Sequence, residues 1–164
     1  MNLVALNSLA KWLASTPASQ AIQTSSWLIP TIQTIHILCV ATVLTSAVIV
    51  DLRICALFDR KTPLEQVARR FLPWIWPVLL LLLLTGSLLV LAEPHRSLQN
   101  TTFILKMALL VFAVAITGFL QTSIKYWDQS KLRKIAMRFA AGCSILIWCA
   151  IVFAGRWIAY TEAG

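Results

Sequence analysis

The chain has 164 residues, 59% of them hydrophobic and only 12% charged, with a mean hydropathy of +0.80. That balance excludes a soluble globular domain, and the absence of a long linker or a second composition regime fits a single domain. The formal charge of +8 does not point to nucleic acid, because most of its carriers sit in two short connections between apolar runs.

Residues 1–26 precede the first long apolar run. Leu3, Leu6, Leu9 and Leu13 recur at helical spacing, with Asn7, Lys11 and Ser15 on another face. At ~13 residues such a helix is too short to cross a bilayer, so it is expected to lie in the interface with Trp12 at headgroup level. Ser15-Thr16-Pro17 ends it. The segment lacks a positive n-region, so it does not read as a cleavable signal.

Four uncharged or nearly uncharged stretches follow, at about 27–50, 71–92, 103–123 and 139–160. Each is close to the ~20 residues that an α-helix needs to span hydrocarbon. The predicted fold class is therefore all-α: an integral membrane four-helix up-and-down bundle over residues 27–160, preceded by a short amphipathic interfacial helix. The lipid bilayer is its first partner; other membrane subunits or a homo-oligomer are compatible with it.

The connections set the expected orientation. Arg53, Arg60, Lys61, Arg69 and Arg70 lie between spans one and two, and Lys125, Lys131, Arg133, Lys134 and Arg138 between spans three and four. The intervening connection, residues 93–102, carries only Arg96. The positive-inside rule then puts both basic connections in the cytoplasm and both termini outside, in a bacterial inner membrane. Thr62-Pro63-Leu64-Glu65 reads as a capping box at the start of a helix that runs into span two, where Pro73 and Pro77 should bend it. Asp128 or Ser130 is positioned to cap the helix that becomes span four.

No soluble-enzyme motif is present, neither a phosphate loop, a nucleophile elbow nor a zinc helix. Cys39, Cys55, Cys143 and Cys149 show no metal-ligand spacing. What remains are polar groups inside the spans, which are costly there and become functional candidates by default. His36 lies ~13 Å from the outer end of span one at 1.5 Å per residue. Lys106 and Arg156 lie about one turn from the outer ends of spans three and four, and Glu93, His95 and Arg96 follow the outer end of span two. All fall in the outer half. Polar or small stripes occur at Gln33, His36, Cys39, Val43 and Ser46, at Lys106, Ala113, Thr117 and Gln121, and at Gly142, Cys149 and Arg156. These read as helix–helix contact faces, with Arg156 turned inward toward Glu93 and the face around His36. The plainer alternative is that Lys106 and Arg156 snorkel to the headgroups and that His36 only bonds across helices.

Asp51-Leu52-Arg53, Arg69-Arg70-Phe71-Leu72-Pro73-Trp74, Thr85-Gly86, Phe103-Ile104-Leu105-Lys106 and Gly155-Arg156-Trp157-Ile158-Ala159-Tyr160 together resemble a family of small, uncharacterised bacterial four-span membrane proteins. The resemblance covers about residues 27–160. More distantly, the span-one histidine, the basic entry to span two, the glycine and the span-three lysine are similar to the membrane domain of copper-resistance D proteins. A histidine common near the inner end of span three in the closer family is replaced here by the neighbourhood Phe119-Leu120-Gln121.

Two classes of function follow. In the first, the bundle holds haem b, with His36 and His95 as iron ligands and Arg96, Lys106 and Arg156 as propionate partners. A soft-metal variant of it uses His36, Cys39 and Cys149 for copper. In the second, the protein is a non-catalytic membrane anchor or structural subunit, binding quinone or lipid.

Overall fold

The computed structural model describes residues 3–58, 61–98, 100–125 and 130–157, apart from the side chains of residues 3–6, 95, 96 and 157. The described chain is helical throughout: α1 Leu3–Ala14, α2 Pro17–Thr24, α3 Leu28–Ile54, α4 Leu64–Ala92, α5 Pro94–Leu98, α6 Thr101–Ile124 and α7 Lys131–Trp157. Four of these, α3, α4, α6 and α7, are long and apolar enough to cross a membrane. The protein is a multi-pass membrane helix bundle. The expected end of span four at Tyr160 and the alternative cap Asp128 lie outside the described residues.

Helix α3 packs most extensively on α4, α6 on α7, and α3 on α7, whereas α4 and α6 touch sparingly. The spans thus lie in the order α4–α3–α7–α6. A hydrogen bond from Trp76 Nε1 to Gln121 Oε1, 2.9 Å, links α4 to α6. Lipid tails are as apolar as leucine, so helices associate here through close packing and not through exclusion from water. Small residues accordingly occupy the contacts: Ser46, Ala47, Ala113, Ala141 and Ser144 are all buried. Large apolar side chains such as Leu83, Phe112, Leu146 and Phe153 point out of the bundle, which suits a hydrocarbon surround.

One end of the bundle is capped by the N-terminal segment. Thr16 and Pro17 do stop α1, and they also start α2, because the Thr16 hydroxyl accepts from Ser19 N at 3.4 Å and Pro17 occupies the first turn. Residues 17–24, expected as linker, therefore form a helix. Its Ser19 Oγ donates to the Leu91 carbonyl at 2.7 Å and Gln23 Nε2 to the Ala92 carbonyl at 2.9 Å. Carbonyls in the last turn of a helix have no partner within the helix, so α2 completes the end of α4. Helix α1 packs on α5 beside it, leaving Trp12 exposed.

The opposite end carries the basic connections. Helix α3 does not stop at Val50 but runs to Ile54, which draws Asp51 into the core at 3% exposure. It closes with Ala56 at φ 59°, while Leu57 N–H donates to Leu52 O and Ala56 N–H to Arg53 O. This is a Schellman turn with alanine where glycine is usual. Arg53 holds the following connection by donating from Nε and Nη2 to the Thr62 carbonyl, at 3.0 and 2.7 Å. Helix α4 starts at Leu64, with Pro63 as the residue before it. Glu65, expected to fold back as part of a capping box, instead binds Arg69 at 2.9 Å on the exposed face. Pro73 and Pro77 lie within an uninterrupted α4. Ser130 caps α7, its Oγ accepting from Arg133 N at 3.2 Å.

Candidate functional site

At the capped end, α3 and α4 hold a histidine between a hydroxyl and a glycine. His36, the ninth residue of α3, places Nδ1 2.9 Å from Thr85 Oγ1. The Thr85 hydroxyl also lies 2.9 Å from the Leu81 carbonyl and 3.2 Å from that of Leu82. A carbonyl only accepts, so the single hydroxyl proton goes back along α4, and the oxygen accepts from Nδ1–H of His36. For a neutral ring this assigns the proton to Nδ1 and leaves the lone pair on Nε2. Gly86 makes room for the ring, since a Cβ there would stand 3.4 Å from His36 Cε1.

Helices α6 and α7 supply the other half. Lys106, the sixth residue of α6, lies over Gly155, where an added Cβ would be 3.6 Å from Nζ. Its charge acts on the His36 imidazole. Among the described residues Lys106 is bound by no hydrogen bond or ion pair; the ammonium rests half-buried against a backbone left bare by glycine. The result is an imidazole and a lysine in the same half of the bundle.

The other predicted residues are distributed differently. Arg156, expected to face inward, is exposed. Gly155 takes the inward position over Lys106, and one residue further on the helix turns by about 100°. The Gly142, Cys149, Arg156 stripe is therefore not the packed face of α7. That face is Met137, Ala141, Ser144, Trp148, Ile151 and Ala154, all buried. Cys39 is buried but Cys149 is exposed, and among the described residues no three His, Cys, Asp or Glu groups are gathered so as to hold a metal ion. The set His36, Cys39 and Cys149 is not brought together. His95 and Arg96 lie on α5, with their side chains outside the described residues.

Sequence reasoning passed over a second polar group. Asp51 Oδ2, Ser144 Oγ, Thr117 Oγ1 and Trp148 Nε1 are all buried and have no hydrogen-bond partner among the described residues. Ser144 stands beside the Asp51 carboxyl without completing a hydrogen bond to it. Cys55, just past the end of α3, borders this group and places Sγ 3.6 Å from the Arg138 carbonyl. Burial first and the Asp51 carboxylate second push its thiol above the ordinary range, with Arg138 pulling the other way. Spacing could have exposed Asp51, since Val43, Ala47, Val50 and Ile54 set the buried face of α3 and Asp51 adjoins it.

The chain belongs to the family of unknown function DUF6644, whose model covers residues 26–161. No similar protein was found among curated proteins, and no solved structure matches.

Proposed function

We propose that the protein is a bacterial inner-membrane subunit that holds haem b at its capped end for electron transfer, with His36 as an iron ligand. One observation carries this reading: the Thr85 hydroxyl donates to the α4 backbone, so its oxygen is placed to accept from Nδ1–H of His36, which leaves the Nε2 lone pair available. Haem- and metal-ligating histidines are characteristically fixed in this way by a hydrogen bond on the other ring nitrogen. Lys106 suits a propionate, being nearer its helix end than His36 and lacking a protein partner. Arg96 and Arg156 are further residues that would hold the propionates, and His95 is the candidate for a second iron ligand. Haem would supply one-electron redox chemistry; the chain's own part is to orient the imidazole, balance the carboxylates and exclude water. Copper is less well supported, because Cys149 is exposed and a cation would meet Lys106.

Detergent-purified protein from haem-replete cells should show a Soret band near ~410–430 nm that His36→Ala abolishes. A colourless protein from such cells would overturn this reading. The sparse contact between α4 and α6 favours a second one: an anchor that admits a quinol sideways from the lipid. A quinol hydroxyl would donate to His36 Nε2, and the Lys106 ammonium would donate to the second oxygen. Retention of a lipid-soluble quinone by the colourless protein, lost in His36→Ala, would support it.

The same proposal puts the basic end in the cytoplasm. In a background without native cysteines, Lys61→Cys should resist an impermeant maleimide in intact cells while Gln99→Cys reacts. The reverse pattern would invert the orientation.

A further inference from the structure

The group of unpaired polar atoms in the basic half of the bundle has no part in the capped-end site. Its members come from three helices. Ser144 and Trp148 are one turn apart on α7, and Asp51 of α3 borders Ser144. Helices α6 and α7 run antiparallel with Lys106 over Gly155, a register that carries Thr117 to the level of Ser144. Ser144 is fully buried, Trp148 2%, Asp51 3% and Thr117 6% exposed.

A carboxylate without a counter-ion is strongly disfavoured in such surroundings. Among the described residues, several cations of this end are engaged elsewhere or exposed. Arg53, on the same helix, holds the Thr62 carbonyl. On α4, Arg69 is bound to Glu65 and Arg70 lies over the Phe71 ring. Lys125, past the end of α6, is exposed, as is Arg138 on α7, whose charge reaches Cys55. Cys55 is the other titratable group beside Asp51. Ser144 thus stands beside the carboxyl, Thr117 and Trp148 are buried in the same stretch of the bundle, and none of these donors has a hydrogen-bond partner among the described residues. One water can serve three of the four, accepting from Trp148 Nε1 and donating to Asp51 and a hydroxyl; buried waters typically make about three such bonds. A metal cation fits less well, because it would share the space with the Trp148 N–H and find only one carboxylate.

We propose that Asp51, Ser144, Thr117 and Trp148 form a proton-binding site around a shared internal water. Binding is plain protonation: the carboxylate takes one proton from water, and its charge is neutralised. Asp51 lies one turn from the end of α3, and half-buried Cys55 continues from it toward the surface, so exchange takes place with the basic end. The site is independent of any ligand at His36. It makes the bundle a membrane protein able to load a proton from one side.

Infrared titration of the full chain in nanodiscs tests this. A carboxylic-acid carbonyl band should persist well above pH ~4, where exposed carboxyls have ionised. It should vanish at higher pH and be absent in Asp51→Asn. Ser144→Ala and Trp148→Phe should each shift its frequency while circular dichroism remains helical. These two variants decide the question if Asp51→Asn does not fold. The proposal is overturned by the lack of any such band in the parent protein, by a band that survives in Asp51→Asn, or by a band unmoved in both other variants. A band removed by sodium but not by choline at constant pH would also overturn it, in favour of a cation site.

Discussion

The two ends of this bundle treat polar groups in opposite ways. At the capped end the described polar side chains are largely matched. His36 is bound to Thr85, Thr85 to the α4 backbone, and Ser19 and Gln23 to the last carbonyls of α4. At the basic end the side chains are more deeply buried and less satisfied, with Asp51, Thr117, Ser144 and Trp148 each leaving one atom unpaired among the described residues. In lipid an unsatisfied group costs several kcal/mol, so the orphaned cluster is the less economical of the two for stability alone. The comparison teaches that burial and satisfaction are separate signals. The capped end stands out through the ring nitrogen of His36 that Thr85 does not engage, the basic end through hydrogen bonds unmet among the described residues.

Several substitutions can break or sharpen this contrast. The largest effect is expected at Trp148, the largest of the fully buried side chains. Trp148→Ala should destabilise by ~3–5 kcal/mol through the cavity it leaves, read by thermal unfolding in detergent. Trp148→Phe should cost far less than that volume change suggests, because it also removes an unpaired donor. If both cost the same, the indole N–H is satisfied and the contrast between the ends fails. At the capped end, Thr85→Val should cost ~1–3 kcal/mol by stranding His36 Nδ1–H. His36→Phe in that background should then add little, since the two residues act as a pair. Full additivity would mean that the hydrogen bond does not form. Ala56→Gly should stabilise by up to ~1 kcal/mol, because alanine at φ 59° carries a cost that glycine avoids. The smallest change is expected from Glu65→Ala. Its pair with Arg69 is exposed, and such pairs contribute ~0.3–0.5 kcal/mol, so a midpoint shift larger than that of Ala56→Gly would show that Arg69 has a second role.

How much of this was legible in the sequence depends on the kind of signal. Hydrophobic runs long enough to span a bilayer identified α3, α4, α6 and α7, because length and charge depletion do not depend on what packs against them. Helix ends were read less well. Asp51 seemed to close span one, since a carboxylate normally marks the water boundary, but α3 continues to Ile54 and Schellman geometry closes it without glycine. Helix α2 was missed because Ser19, Gln20 and Gln23 look like linker until the bare carbonyls of α4 are there to receive them. The His36 and Lys106 positions were legible as costly groups inside apolar runs. Thr85 was not, because a threonine in a span is unremarkable until its partner is known. On α7 the spacing of Gly142, Cys149 and Arg156 suggested a packed face, whereas Trp148 and Ser144, two positions with no common chemistry, mark the real one.

The attachment of α2 to the end of α4 also orders events during synthesis. Ser19 and Gln23 leave the ribosome before their acceptors at Leu91 and Ala92, which lie 72 and 69 residues further along. At chain growth of ~5–20 residues per second, the nascent amino-terminal segment waits roughly 4–14 s for them. During that interval it must stay at the membrane surface without its final partner. It then closes over α4 only after the first helical hairpin has been inserted, so a segment made before that hairpin reaches its place after it.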